Sequence, residues 1–363
     1  MTLPSTDRGA AANVAGPGKR HPVEFTADAG EYFRIWIVNL ALTIVTLGIY
    51  SAWAKVRKRR YFYGHTRIDG ESFEYRANPV AILKGRLIAV VLFAVFYAIS
   101  HYAPFYIWAI YLLLLFVAPW LVVRSLAFNA YNTAYRNVRL VFSGTYRTCL
   151  GLVLGYGLLT LVTLGLAFPF LRRRLVQFAM ESHSYGTTRF ALAQGFKKSF
   201  VRPYFVAIGV SILLGVVLVA FFAAVGVIAG ASVKADTAKP GWMPTAIIAG
   251  VVVFYALLFL LLAYIKARTV NAVWNHLSIG PVRFESVLRA RDLIWLYFSN
   301  LVVVALTIGL ATPWAAVRSM RYHASKTTAI ASAPLDGFAQ AEAQRVSVAG
   351  EEVADFFGID IAL

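Results

Sequence analysis

The sequence predicts an all-α polytopic membrane protein with about seven hydrophobic helices, a threefold internal repeat and small β elements at the membrane surface. The first observation behind this is composition: of 363 residues, 59% are apolar and only 14% are charged. Soluble domains carry roughly 45–50% apolar and about 25% charged residues. The second is that the apolar residues occur in long runs, and the third is that a short motif recurs beside three of them. A net charge of +18 adds basic loops to this picture.

Seven apolar runs approach or reach the length of about 20 residues that crosses a bilayer as a helix. Because lipid offers no hydrogen bonds to the backbone, these runs are expected to be helical. They cover residues 32–54, 86–101, 104–123, 149–171, 203–231, 242–265 and 292–316.

The internal repeat is a Thr-x-Gly motif, followed four residues after the glycine by a small residue or proline and then an aromatic residue. Basic residues come next in every copy. The pattern predicts repeat units at about 23–76, 138–190 and 282–330, separated by hydrophobic hairpins at 86–123 and 203–265. Together they form an integral membrane domain over 23–330, between a disordered tail at 1–22 and an acidic tail at 331–363. The predicted helix breaks are Gly48, Gly165, Pro169, Gly309 and Pro313.

The first two repeat helices carry polar residues at i, i+4 and i+7, and the third does so at i and i+7 with Val304 between them, which places these residues on one face. Such a stripe needs protein or water beside it, because lipid cannot satisfy it. Two interpretations stay open: hydrogen bonds between helices, or the lining of a substrate or ion pathway. The pathway candidates are Asn39, Thr43, Thr46, Tyr156, Thr160, Thr163, Asn300 and Thr307.

The topology is ambiguous at this stage. Seven single crossings divide the Lys and Arg residues 19 to 16 between the two sides, whereas basic residues normally favour one side. If the three repeat units instead dip into the membrane and return, the division is 33 to 2. The 23- to 25-residue length of these runs favours seven crossings, which we take as the expectation, with orientation left open.

The basic clusters after the first two motifs are candidates for binding anionic lipid headgroups. Retention on one side of the membrane would explain them too and is the favoured explanation, and nucleic acid is not expected as a partner. These candidates are Lys55, Arg57, Lys58, Arg59, Arg60, Arg172, Arg173 and Arg174. Asp69-Gly70 predicts a short hairpin, and Val-x-Phe patterns near 23–25, 138–142 and 282–284 predict further short strands.

The sequence carries no recognisable catalytic motif, so we expect no enzyme activity, no cofactor and no metal site. It has no nucleophile elbow, P-loop or zinc helix, and its single cysteine, Cys149, excludes an intrachain disulfide. The apolar runs also lack a central carboxylate of the kind that proton-coupled transporters use.

Residues 31–75, EYFRIWIVNLALTIVTLGIYSAWAKVRKRRYFYGHTRIDGESFEY, resemble the YjgN-like family of bacterial inner-membrane proteins, a domain of unknown function. The resemblance implies a multi-pass location in the inner membrane and implies no active site. A transport or channel-like role through the polar stripe is the first functional hypothesis. The alternative is a non-catalytic scaffold or envelope component that binds anionic lipids or proteins; protein partners and oligomeric state are left open.

Overall fold

A closed ten-stranded antiparallel β-barrel is the centre of the fold. The computed structural model describes residues 18–234 and 243–357. Residues 1–17 of the predicted tail at 1–22 therefore lie outside the described residues. Every strand pairs with its sequence neighbours, and the first pairs with the last. The strands are β1 Lys19–Phe25, β2 Thr66–Ile68, β3 Glu71–Tyr75, β4 Thr133–Tyr135, β5 Val138–Phe142, β6 His183–Tyr185, β7 Thr188–Leu192, β8 Leu277–Ile279, β9 Val282–Ser286 and β10 Thr327–Ala331.

Five helical hairpins connect these strands at one end of the barrel, which we call the mouth. The second helix of each hairpin packs against the first helix of the next, and the last packs against the first, so the helices form a ring above the ring of strands. The hairpin helices are α1 Ala29–Val45 and α2 Ser51–Gly64, α3 Pro79–Tyr102 and α4 Ile107–Tyr131, α5 Tyr146–Val162 and α6 Phe168–Glu181, α7 Phe196–Lys234 and α8 Met243–Trp274, α9 Ala290–Leu306 and α10 Thr312–Ser325.

The opposite end of the barrel, which we call the closed end, carries four tight turns between strands. At the first turn Asp69 and Gly70 have φ values of 53° and 80°, and at the second Arg136 and Asn137 have 47° and 64°. Positive φ at both central residues is the requirement of the turn that matches strand twist, which is why Asp-Gly is a strong hairpin signal. A last helix, α11 Leu335–Phe357, covers this end.

The expected fold class is wrong in two respects. Among the described residues, four helices, not seven, are long and apolar enough to cross a membrane: Pro79–Tyr102, Ile107–Tyr131, Phe196–Ile228 and Pro244–Trp274. These are the helices of the two predicted hairpins. The strands predicted near 23–25, 138–142 and 282–284 and the hairpin at Asp69-Gly70 are present, but they belong to one closed barrel of ten strands and are not separate small β elements.

The three remaining apolar runs each fold into two helices joined by the same turn. In the first, Leu47 and Gly48 have φ values of 49° and 92°, and Leu164–Gly165 and Ile308–Gly309 repeat these values within a few degrees. The glycine N–H bonds the carbonyl five residues earlier, at 2.7 Å from Gly48 to Thr43, as in a Schellman termination. An apolar run long enough to cross is thus turned back on itself.

From the helix lengths we expect these turns to lie inside the bilayer. The first arm of each short hairpin has 17 residues, or about 25 Å of helix. On the spanning helices, Arg86, Arg124 and Lys266 lie roughly 10 Å from the barrel by the same rise and mark the headgroup level. The turns then reach about 15 Å further, half of a ~30 Å hydrocarbon core. Their tips are apolar, with Leu47, Leu164 and Ile308 each 94% exposed.

Every helical hairpin leaves the barrel and returns to it, so we expect all five to enter the membrane from one side. That side then holds 33 of the 35 Lys and Arg residues, the exceptions being Lys234 and Lys239. The positive-inside rule therefore predicts a cytoplasmic barrel. Alkaline phosphatase fused after residue 70 or 190 should be inactive, and fused after residue 238 it should be active. Opposite compartments for residues 70 and 190 would restore the seven-crossing topology.

Candidate functional site

The barrel encloses a chamber of about 680 Å³, which lies in the volume range of small-molecule sites. Barrel diameter grows with strand number, and eight strands already suffice to hold one small ligand. Ten strands therefore leave the centre hollow even with aromatic side chains on the inner face. The chamber extends from the mouth, between the ends of the helices, down to α11.

The wall of the chamber is almost entirely apolar. Because side chains alternate along a strand, Leu140 faces the chamber while its neighbour Val141 is 46% exposed on the outside. No Asp or Glu lines the chamber. The central lining consists of Phe73, Leu140, Phe190, Leu277, Phe284 and Ala329.

The mouth of the chamber holds its lysine and histidine side chains. Lys266 of α8, His323 of α10 and His183 of β6 all line it. Burial lowers the pKa of His323, and the Lys266 ammonium lowers it further, so this imidazole is neutral at pH 7. Lys266 forms no ion pair among the described residues. The site thus combines an apolar interior with one uncompensated positive charge at its opening.

Helix α11 plugs the closed end through apolar contacts. Leu335 and Ala339 are buried against Val138, Tyr185 and neighbouring barrel residues, and Phe338 packs beside them. The turn at Gly280 has to be glycine here, because a Cβ would lie 2.9 Å from the Phe338 ring and φ is +49°. The plug is therefore built into the barrel and is not a loose tail.

Glu342 fixes the plug from the polar side. Its carboxylate is fully buried and accepts the backbone N–H groups of Thr187 and Thr188 at 2.7 and 3.2 Å. Both threonine hydroxyls and Arg345 also donate to it. Burial raises the pKa of Glu342, but the hydrogen bonds from Thr188 and Thr187 outweigh it, so this pKa lies below its ordinary value.

A second polar contact holds the start of α11. Arg136 pairs with Asp336 of the plug and, at 2.9 Å, with Asp69 of the first turn. His21 also contacts the Asp69 carboxylate, at 2.9 Å. The turn residues of β2–β3 and β4–β5 are thereby tied both to each other and to the plug.

The predicted polar stripe lies away from the chamber. None of its eight residues lines it, and four threonine hydroxyls bond carbonyls of their own helices: Thr43 to Asn39, Thr46 to Leu42, Thr160 to Tyr156 and Thr163 to Leu159. Thr307 does the same with Val303. Thr46, Thr163 and Thr307 also accept the N–H four residues later, which ties the turn between the two arms.

The other stripe members contact the returning helix of their own hairpin. Asn300 Oδ1 accepts from Arg318 at 2.8 Å, and Tyr156 accepts from Arg174 at 3.0 Å. Asn39 is equally buried, but its Oδ1 has no partner. The predicted break residues lie at the turns: Gly48, Gly165 and Gly309 within them, and Pro169 and Pro313 in the first turn of α6 and α10.

The basic candidates follow these turns on the returning arms. Arg59 donates to Tyr75 at 2.8 Å and also bonds Asn129, and Arg60 reaches the carbonyl of Tyr75. Lys58 lies over the Phe62 ring at 5.7 Å. Lys55, Arg57 and Arg172 are exposed, whereas Arg173 is buried. Only part of the predicted headgroup cluster is therefore free of protein contacts.

Sequence reasoning missed the chamber, Lys266 and Glu342. A partial signal existed in Val138, Leu140 and Phe142, whose alternation indicates a strand with one apolar face. Nothing in the sequence showed that the apolar faces of ten strands enclose one space. Cys149 has no exposed surface.

These features define a multi-pass membrane protein that carries a closed β-barrel against the membrane. The family described as "Bacterial protein of unknown function (DUF898)" matches residues 20–356, and the chain belongs to it. The chain is 23% identical over 349 residues to inner membrane protein YjgN of Salmonella typhimurium, covering 85% of this chain and 88% of that one. The Escherichia coli K12 protein of the same name is 32% identical over 124 residues, 34% of this chain and 31% of its own. No solved structure matches the present chain significantly. It is a bacterial inner-membrane protein, as the resemblance implied.

Proposed function

We propose that the protein binds an anionic amphiphile, with its apolar chain in the barrel chamber and its acidic head at the mouth. The hollow apolar interior of the barrel is the observation that carries this proposal. An apolar chamber that opens toward a membrane suits an apolar chain, because the chain keeps the apolar surroundings that it has in the bilayer and avoids the cost of about 0.8 kcal/mol per CH₂ group that exposure to water would carry. The uncompensated Lys266 favours an acidic head over a neutral one.

The arrangement of long and short hairpins supports a route from the lipid to the chamber. The first and last hairpins are adjacent in the ring, through α1 and α10, and both are short. Lipid chains therefore lie above their exposed tips, inside the ring of helices. The proposed role is reversible binding and transfer of the amphiphile, without catalysis.

The experiment uses a photoreactive fatty acid bearing a diazirine on its chain, added to the protein in nanodiscs. After illumination, mass spectrometry of peptides should locate adducts on the chamber-facing strands β5, β7 and β9. Adducts confined to the lipid-facing helices, with the strands unlabelled at saturating probe, would exclude the chamber as the binding site.

Replacing Lys266 by methionine should weaken binding of the acid selectively. Because Lys266 is solvent-exposed, its attraction to a carboxylate is screened, and we expect strand labelling to fall about three- to fivefold. The diazirine fatty alcohol of the same length should label the variant and the wild type equally. Lys326→Met is the matched control, since Lys326 is near the mouth but does not line the chamber. Equal losses for acid and alcohol would contradict a charge-reading role.

Transport through the polar stripe is a second candidate, supported by the buried and unpartnered Oδ1 of Asn39. Its test is the Asn39→Leu, Asn300→Leu double variant, whose solute flux should fall if the stripe is the pathway and stay unchanged if it is not.

The scaffold hypothesis rests on the exposed basic residues Lys55, Arg57 and Arg172, which suit anionic lipid headgroups.

A further inference from the structure

Arg173 is a buried cation without a partner. Its side chain in α6 is 7% exposed, and neither Nε nor Nη1 has a hydrogen-bond acceptor. Within residues 18–234 and 243–357 it forms no ion pair. Desolvating a charge without compensating it is strongly destabilising, so this position requires an explanation.

The two other short hairpins show that the fold does not need a charge here. Val56 and Val317 lie four residues after the buried Ala52 and Pro313. Arg173 lies four residues after the buried Pro169, so the three positions correspond. Val56 and Val317 are 2% and 1% exposed. An apolar side chain therefore fills this position in two of the three short hairpins, and only the hairpin of α5 and α6 places a guanidinium there.

The surroundings of Arg173 add positive charge and supply no carboxylate. Its electrostatic neighbours are Arg174 and the Tyr156 phenol, and Arg172 next to it is exposed and lies by the hydroxyl of Tyr204 on α7. Gln177, one turn further on, leaves Oε1 buried and unpartnered. An amide oxygen can accept one N–H group, but it cannot neutralise the charge.

From this geometry we infer that Arg173 binds a phosphate group between α6 and α7. A guanidinium donates through several N–H groups in a plane that matches phosphate oxygens, and bidentate pairs of this kind are the strongest charge-assisted hydrogen bonds. Arg173 lies about 12 Å of helix from the end of α6, the depth of Lys266 and therefore of the headgroups. At that depth the bound phosphate group belongs to a phospholipid headgroup. Free inorganic phosphate is the alternative source, and the experiment below distinguishes the two. This site is independent of the barrel chamber.

The test compares the thermal unfolding of the wild type and Arg173→Val in detergent, without and with phosphatidylglycerol. Without lipid the variant should have an equal or higher Tm, because an unpaired buried charge has been replaced by the side chain of the sister hairpins. Saturating phosphatidylglycerol should raise the Tm of the wild type by at least about 4 °C more than that of the variant. Arg283→Val, which removes an exposed charge on β9, should respond as the wild type does.

Further arms separate the two sources of phosphate. Diacylglycerol, which lacks phosphate, should leave the difference in Tm between wild type and variant at its lipid-free value. Inorganic phosphate should do so as well if the source is a lipid, and should reproduce the shift if the source is the free ion. The proposal is overturned if phosphatidylglycerol stabilises both proteins equally, or if Arg173→Val lowers the Tm in the absence of any phosphate. In the latter case Gln177→Leu should lower it similarly, which would identify the amide as the partner.

Discussion

Replacing Leu140 by tryptophan should abolish labelling of the barrel strands by the photoreactive fatty acid while leaving the protein fully folded. Leu140 lies on the middle of β5 and faces the chamber. The larger indole would occupy the space that the chain needs, so we expect a loss of at least about tenfold, as when a pocket is filled. The measurement is the adduct yield on β7 and β9 at saturating probe.

The stability of this variant separates a hollow barrel from a packed one. In a well-packed core, a larger side chain forces strain and costs typically about 1–3 kcal/mol. In a chamber of about 680 Å³ the indole finds room, so the Tm should be unchanged or higher. A large fall in Tm together with unchanged labelling would show that the interior is filled by the protein itself.

Val141→Trp is the matched control for this experiment. Val141 is the next residue on the same strand and is 46% exposed on the outer face. The same side chain is introduced one position away, again in place of an aliphatic residue. It should alter neither labelling nor stability, and a loss of labelling here would attribute the effect to the strand and not to the chamber.

Removing the Glu342 side chain should release the plug helix from the closed end. Glu342→Ala leaves the N–H groups of Thr187 and Thr188 and two hydroxyls without their acceptor, and an unsatisfied buried donor costs about 1–3 kcal/mol. For the group as a whole we expect about 3 kcal/mol, equivalent to a hundredfold increase in local opening. Hydrogen exchange of the amides in α11 should accelerate by that factor.

Gln344→Ala provides the control, since Gln344 is exposed on the same helix and its loss should leave exchange unchanged. If Glu342→Ala also left the protection of α11 intact, the apolar contacts of Leu335 and Ala339 would be sufficient to hold the plug. Labelling of the chamber strands should persist in this variant, because the mouth, with Lys266 and His323, is untouched.

The hydrogen bonds of Glu342 also predict that the stability of the plug helix against local opening depends on pH. The pKa of Glu342 is lower in the folded protein than in an unfolded chain, so its contribution is fully present above the unfolded pKa, near 4.5. It is lost as the pH falls through the lower folded pKa. Exchange of α11, corrected for the intrinsic rate, should rise across that window in the wild type and stay flat in Glu342→Gln.

Several parts of this fold are readable from the sequence for clear physical reasons. Asp69-Gly70 satisfies the backbone of a tight turn, and the alternation in Val138–Phe142 indicates a strand. The glycines at 48, 165 and 309 are required by positive φ, so the helix breaks were visible. What was not visible is the φ of Leu47, Leu164 and Ile308, which turns an apparently continuous helix into a helical hairpin.

Closure of the barrel was beyond sequence reasoning because its signal is not local. Four of its strands, β2, β4, β6 and β8, have only three residues each, too few to show alternation. The pairing of β1 with β10 joins residues such as Lys19 and Ala331, whose contact no local pattern encodes. The chamber depends on that closure, so it could not be predicted either.

The closing pair also dictates an order of events during synthesis. β1 emerges from the ribosome first, yet one of its two partners, β10, emerges only after all five helical hairpins. Until then the growing sheet has two free edges, which are prone to pairing with other chains. Contacts between residues far apart in the sequence also form slowly. The hairpins can insert as they are made, so the membrane tethers nine strands before the last one arrives and confines the search for the closing partner to a single chain.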